Sequence, residues 1–267
     1  MGFLDLHVPG APLLMPNPWD VGSARLLVSL GFQALATTSS GHAATLGRLD
    51  GGVTRDEAIS HAAELAAAVA ADGVGVSADL EHGFFDEPDD VAETAELAVA
   101  GGLAGFSIED STGVAAAPIY DFDFAVDRIA AAASVAGPAG CVLTARCEMY
   151  LYGQRDLDEV IRRLQAYSSA GAHVLFAPGV VDLDEVRTLV DAVDKPVNVL
   201  LVPGCPPVAE LASVGVARIS VGGAFAFAAY GALVEAATEL RDAGTTGYRE
   251  RASIGSKAVR GAFGPAG

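Results

Sequence analysis

The sequence predicts an α/β chain folded as a (β/α)8 barrel (TIM barrel), a single domain spanning residues 1–267. Three observations predict it. A unit of amphipathic helix, glycine and short apolar strand recurs along the chain. Helix-start signals precede several of these helices. About eight short apolar strands are spread over roughly 250 residues, the length such a barrel needs.

The unit first reads LLVSLGFQALATTS, then ELAAAVAADGVGVSADLE and ELAVAGGLAGFSIED. It returns as RLQAYSSAGAHVLFAPG and VAELASVGVARISVG. Each glycine can supply the left-handed residue that ends a helix. Asp20, beside Trp19, is the expected N-cap of the first helix. Thr54 with Glu57, Asp156 with Glu159, and Asp182 with Glu185 have capping-box spacing. Ile161, Leu164 and Tyr167 fall at helical intervals. Strands are expected at 12–16, 34–39, 74–81, 105–110, 141–148, 173–178, 196–202 and 217–222. Continuously apolar runs such as VNVLL suit parallel strands covered by helices. A doubly wound sheet is the competing architecture, but no Gly-x-Gly-x-x-Gly follows the first strand. Residues 236–267 read as helical and as an oligomer contact; the small-residue run GGAFAFAAYGA before them suits helix packing or a subunit contact.

Composition narrows the partners. Sixteen basic against 34 acidic residues give a net charge of −18, which repels phosphate backbones and anionic lipids. Nucleic-acid and membrane binding are therefore not expected, whereas a local field can still admit a small anion. Cys141, Cys147 and Cys205 have neither disulfide-framework nor zinc spacing. Neither a signal-peptide pattern nor an apolar run of about 18 residues occurs, so a soluble cytoplasmic protein is expected.

Chemistry gathers at the predicted strand ends, where barrels build their sites. In VSADLEHGF, Asp79 and Glu81 are two residues apart and share a face if the strand runs through both. Arg146 and Glu148 in TARCE form a second such pair, and Glu109 ends the strand SIED between them. Thr37 and Ser39 close ALATTS. Four carboxylates would then surround one guanidinium, a costly arrangement unless protonation or a cation cancels charge. A hard divalent ion suits these oxygen ligands, and Mg²⁺ keeps waters that bridge to further carboxylates. A single acidic strand end is ordinarily a cap or an ion-pair partner, and Asp50 or Asp110 alone reads as a loop residue. Three successive strands ending this way carry the metal expectation.

These motifs resemble the isocitrate lyase and phosphoenolpyruvate mutase superfamily. NPWDVGSARLLVSLGFQALATTSSG is similar to its opening, LGRLD to the motif ending in a metal-region aspartate, and DLEHGF to Asp-x-Asp-x-Gly-Tyr/Phe. SIED, TARCE and AYSSAGAH follow in family order, so the similarity runs from about residue 10 to 235. The resemblance implies Mg²⁺ (with Mn²⁺ as a substitute), a small oxo or hydroxy acid, an enolate-like intermediate, and a dimer or tetramer exchanging a C-terminal helix. It implies Asp79 as the direct metal ligand, with Asp50, Glu81 and Glu109 holding metal-bound water. Thr38 and Ser39 would hold the substrate carboxylate. Arg146 would bind the second anionic group or the oxygen where charge develops, making Arg146, Glu109 and Asp50 the catalytic set.

Two departures stand out. The loop STGVAAAPIYDF has neither the Lys-Lys-Cys-Gly-His of isocitrate and methylisocitrate lyases nor the Lys and Asn of the phosphonate branch. Glu81 replaces the usual aspartate. His82 and His42 are secondary acid–base candidates, and Tyr120, Tyr150 and Tyr152 are read mainly as packing. Cys147, of opposite parity to Arg146, should face a helix. The expected activity is carbon–carbon lysis. A C–P enzyme (phosphonopyruvate hydrolase or mutase type) and a non-catalytic carboxylate-binding barrel are the alternatives.

Overall fold

The computed structural model describes residues 2–264. Eight strands form one parallel sheet: β1 Leu13–Met15, β2 Ala34–Ala36, β3 Gly75–Asp79, β4 Gly105–Glu109, β5 Val142–Arg146, β6 Val174–Phe176, β7 Val197–Leu200 and β8 Arg218–Ser220. From β2 to β8 each strand pairs in parallel with the next, and β8 returns to β1. Between β1 and β2 the Ala36 amide donates to the Pro16 carbonyl at 3.1 Å, bringing the sheet round into a barrel. All eight expected strands exist, but each is shorter than expected. The chain leaves β2 because Thr38 already caps a helix, and it leaves β3 at Asp79 to enter a turn.

The helices are α1 Val21–Ser29, α2 Ser39–Thr45, α3 Arg55–Val69, α4 Pro88–Ala100 and α5 Phe122–Ala139. They continue with α6 Leu157–Ser169, α7 Leu183–Ala192, α8 Val208–Ser213, α9 Ala224–Asp242 and α10 Arg249–Phe263. Asp20 and Ser23 form a reciprocal capping box at α1, as do Thr54 and Glu57 at α3. Asp156 and Asp182 cap α6 and α7 one way only, and Glu185 instead accepts from the Tyr150 hydroxyl. The expected C-terminal helix is the end of α9 plus α10, which packs back on α1; residues 265–267 lie outside the described residues. Among the described residues no helix is long and apolar enough to cross a membrane.

Strand alternation divides the side chains. Leu35, Val76, Ala78, Phe106, Ile108, Leu143, Ala145 and Ile219 join the large core beneath the helices. Leu13, Met15, Ala34 and Ala36 form a separate apolar cluster inside the barrel, closed at its N-terminal end by Phe3 and Leu6. The Phe3 ring fits because Gly75 and Gly105 lack side chains; a Cβ on Gly75 would sit 2.6 Å from it. Beside apolar Val142, Val174 and Phe176, the rest of the interior carries buried polar side chains: Ser77, Ser107, Thr144, Asn198, Arg218 and Ser220. Such a lining is unusual for a barrel, whose interior bulky aliphatic residues normally fill. It marks where the site lies.

Candidate active site

Arg146 ends β5 and is the hub of the C-terminal rim. Its Nη1 lies 2.8 Å from Asp79 Oδ1, its Nη2 3.0 Å from Glu109 Oε2, and its Nε 2.9 Å from Glu148 Oε1. Burial opposes the guanidinium charge, but Glu109, Glu148 and Asp79 outweigh it and hold the pKa well above its ordinary value. The Arg146 guanidinium also faces the Phe176 ring at 5.3 Å. Burial pushes the Glu109 and Glu148 carboxyls upward; Arg146 opposes that push, and neighbouring carboxylates reinforce it.

Three of the four expected carboxylates thus meet the guanidinium, and Glu81 does not. The expectation that Asp79 and Glu81 share a strand face is corrected: β3 ends at Asp79, and Glu81 adopts φ +49° in the following turn. Its carbonyl accepts from the Glu109 amide at 3.0 Å, which ties the turn to β4. The carboxyl still lies in the same acidic field. Burial, then Asp79, Asp50 and Glu109, raise its pKa to about 8. A non-glycine residue held at positive φ is strained, and such strain concentrates at functional sites.

The supporting contacts explain how the rim is held. Asp79 accepts from the Ser39 amide at 3.2 Å, while its own amide donates to Thr37 Oγ1 at 2.9 Å. Ser111 donates to Glu109 at 2.7 Å. Asp110 is not a solvated loop residue: it is 2% exposed and accepts from the Glu148 amide, the Tyr167 hydroxyl and Arg163 Nη1. Arg128 of α5 donates to the backbone carbonyls of His82, Phe85 and Asp86, clamping the loop after Glu81.

Two cavities meet at this rim. One, of about 210 Å³, descends into the barrel between Thr38, Ser39, Asp79, Phe176, Arg218 and Ser220. The other, of about 500 Å³, is acidic and bordered by Glu81, His82, Glu109, Ser111, Glu148 and Tyr152. Ser39, Asp50 and Arg146 line both. Thr38 caps α2 by accepting from the Gly41 amide. Ser39, at the first turn of that helix, lines the deep cavity beside it. Among the described residues, no three His, Cys, Asp or Glu side chains already form a metal cage.

The secondary candidates separate. His82 borders the acidic cavity, with its imidazole pKa lowered by burial and Arg128. His42 stacks on His61 at 3.7 Å behind Asp79 and Glu81. The Tyr120 hydroxyl donates to Asp86, and Cys147 is fully buried in the core beneath the helices. Residues 111–119 close as a small hairpin through the Ser111–Ile119 bridge and carry no ionisable side chain.

With this geometry in hand, the comparisons decide the family. Residues 3–241 match the family model described as phosphoenolpyruvate phosphomutase. The chain belongs to the isocitrate lyase/phosphoenolpyruvate mutase superfamily. A Burkholderia cenocepacia J2315 structure described only as a lyase/mutase is 52% identical, with a TM-score of 0.88 over 93% of this chain and 90% of that one. An uncharacterised Mycobacterium tuberculosis protein is 40% identical over 225 residues, covering 83% of this chain and 82% of the relative. The 2-methylisocitrate lyase of Escherichia coli is 30% identical over 212 residues, covering 73% and 70%. Superfamily members are lyases and mutases whose specific reactions vary.

Glu148 is legible from its spacing to Arg146, whereas Asp110 reads as a loop residue and Arg218 belongs to no motif. For Arg218 a signal existed: it shares parity with Ser220 in an otherwise apolar strand, so it had to face the barrel interior.

Proposed function

We propose that this chain is a Mg²⁺-dependent lyase that breaks a carbon–carbon bond of a small 2-oxo or 2-hydroxy mono- or dicarboxylic acid through a pyruvate-like enolate. One observation carries the reading: five carboxylates, Asp50, Asp79, Glu81, Glu109 and Glu148, border cavities that hold Arg146 as their shared cation. Protonation at Glu81 relieves part of this excess, and a divalent ion relieves more. The donor set is all oxygen, which fits Mg²⁺, or Mn²⁺ in its place. Asp79 would hold the ion directly. Glu81, Glu109 and Asp50 would accept hydrogen bonds from its waters.

When bound, Mg²⁺ supplies a Lewis acid at the oxygen where charge develops. The chain supplies the rest. The five N–H donors of Arg146 outnumber its three carboxylate contacts, so donors remain for an enolate oxygen. Thr38 and Ser39 line the deep cavity beside Asp79 and would bind the substrate carboxylate. Its volume of about 210 Å³ lies below the ~300–1,000 Å³ of drug-sized sites, which favours a small acid. We further infer a cytoplasmic homo-oligomer assembled through α9 and α10.

A second reading, C–P bond chemistry, draws on the matching phosphomutase family model. The hairpin of residues 111–119 carries the charged loop residues of neither branch, so preference for the carbon–carbon reading rests on the similarity to 2-methylisocitrate lyase. The test has two parts. Asp79→Ala should abolish Mg²⁺ binding by calorimetry, and unchanged affinity would overturn the assignment. Incubation with oxo and hydroxy acids and phosphonopyruvate should release pyruvate or glyoxylate; phosphate release would favour the second reading, and no turnover would leave a carboxylate-binding barrel.

A further inference from the structure

Arg218 on β8 is 3% exposed and points into the barrel. Its Nε donates to Asn198 Oδ1 at 2.9 Å and its Nη1 to Thr144 Oγ1 at 3.0 Å. Both acceptors are neutral, and Nη2 has no protein hydrogen bond among the described residues. Other buried arginines are better served. Arg146 has three carboxylates, Arg163 has Asp110 and Glu159, and Arg128 has three backbone carbonyls. Burial and then the nearby Arg146 lower the Arg218 pKa to about 9, with no carboxylate contributing. Guanidinium does not give up its proton in proteins, so the charge stays and lacks a counter-ion.

The surroundings look built for an anion. Arg218 and Ser220 both line the deep cavity, on the side away from the acidic one. Asn198 fixes them together: its Oδ1 accepts from Arg218, and its Nδ2 donates to Ser220 Oγ at 3.0 Å. With that lone pair occupied, the Ser220 hydroxyl proton is free to donate into the cavity. A guanidinium N–H and a hydroxyl thus stand together at the cavity floor, the donor pair a carboxylate takes.

We propose that Arg218 and Ser220, oriented by Asn198, form a subsite for a second anionic group, so that the substrate is a dianion spanning the cavity from Ser39 to β8. The inference deepens the reading above and rests on it for the position of the first carboxylate. It also moves the second anionic group away from Arg146, whose charge is already balanced.

Calorimetry with Mg²⁺ and three probes tests this: oxalate, malate, and 2-hydroxybutyrate, which has the malate chain length without the second carboxylate. Wild-type protein should bind malate about 10- to 100-fold more tightly than 2-hydroxybutyrate, the effect of one charged hydrogen-bonding group. Arg218→Met should remove that preference while leaving oxalate affinity unchanged. Should the methionine variant not fold, Arg218→Lys and Ser220→Ala must each narrow the preference. Equal wild-type binding of malate and 2-hydroxybutyrate, binding of neither, or an equal loss for oxalate and malate in Arg218→Met would overturn the subsite. Replacing malate by 2-hydroxy-3-phosphonopropionate separates a carboxylate from a phosphonate as the second group. Oxalate binding that ignores Mg²⁺ would overturn the lyase reading alone, because the malate preference is measured without turnover.

Discussion

Arg146 on β5 reaches past β4 to set its Nη1 2.8 Å from Asp79 Oδ1 on β3. The same guanidinium contacts Glu109 on β4 and Glu148 after β5, so one side chain gathers the products of three strand ends. Arg146→Met leaves these carboxylates without their cation. Breaking a buried ion cluster from one side costs on the order of 3–5 kcal/mol, readable by urea denaturation. Turnover should fall at least about 10²-fold, the loss expected for a donor to developing charge. Arg146→Lys should recover part of the stability and little of the activity, because a point charge cannot serve three partners as a fork does.

Asp110 holds Glu148 in place through the Glu148 amide at 2.8 Å and binds Tyr167 and Arg163 in a buried network. Asp110→Asn preserves shape but turns one acceptor into a donor facing other donors. A loss of about 1–3 kcal/mol is expected in denaturant titrations, with a Tyr167→Phe companion losing less. A neutral outcome for Asp110→Asn would show that the network is not holding the rim.

These residues show which features the sequence carried. Strand positions, the Asp79–Glu109–Arg146 rim and the paired Glu148 followed from period-two alternation, since each lies within or beside a regular strand. Glu81 broke that logic because β3 stops at Asp79 and a left-handed turn, not the pleat, aims its side chain. Asp110 looked like a loop residue because its partners Arg163 and Tyr167 lie more than 50 residues away on α6. Arg218 was obscured in a similar way: its role depends on Asn198 on the adjacent β7 and on Thr144 on β5, contacts that local sequence does not display.

Glu81 at φ +49° yields a third expectation. Glu81→Gly relieves a left-handed strain of about 1 kcal/mol and removes one carboxylate from a crowded field. The variant should melt at or above the wild-type temperature while Mg²⁺ affinity falls about tenfold or more. Glu81→Gln, which keeps the strain, should lose affinity similarly without gaining as much stability. A glycine variant that binds Mg²⁺ normally would remove Glu81 from the site.

Two histidines set the acid limit of the fold. His7 Nδ1 faces the Phe3 and Leu4 carbonyls, His61 stacks on His42, and Nε2 of His7 and His61 is buried without a partner among the described residues. Burial first, then Arg218 at His7 and His42 at His61, lowers each pKa to about 4. The unfolded chain takes up these protons near 6.5, so it binds more protons than the folded chain between these values. Stability should therefore fall as pH drops from 6.5 towards 4, by on the order of 1–3 kcal/mol per histidine. Melting curves across this window should be flatter for His61→Leu than for wild type, and equal slopes would exclude His61 as a contributor.

The C-terminal helices supply the last expectation. No residue of α10 is buried in the single chain, and α9 buries only Ala226. Phe227, Leu233, Val234, Leu240 and Ile254 are each more than half exposed. Apolar surface of this extent is rarely left to water in a monomer. The chain alone holds these helices weakly: the Arg251–Glu235 pair between them is itself solvent-exposed, so it adds little. Light scattering should therefore report a dimer or tetramer, with a melting temperature that rises with protein concentration as association requires. Leu233→Asp combined with Val234→Asp places two charges in that contact and should give a monomer of lower melting temperature. A wild-type protein that is monomeric at high concentration would exclude this face as a subunit contact, and Mg²⁺ affinity in the monomeric variant would tell whether the rim depends on assembly.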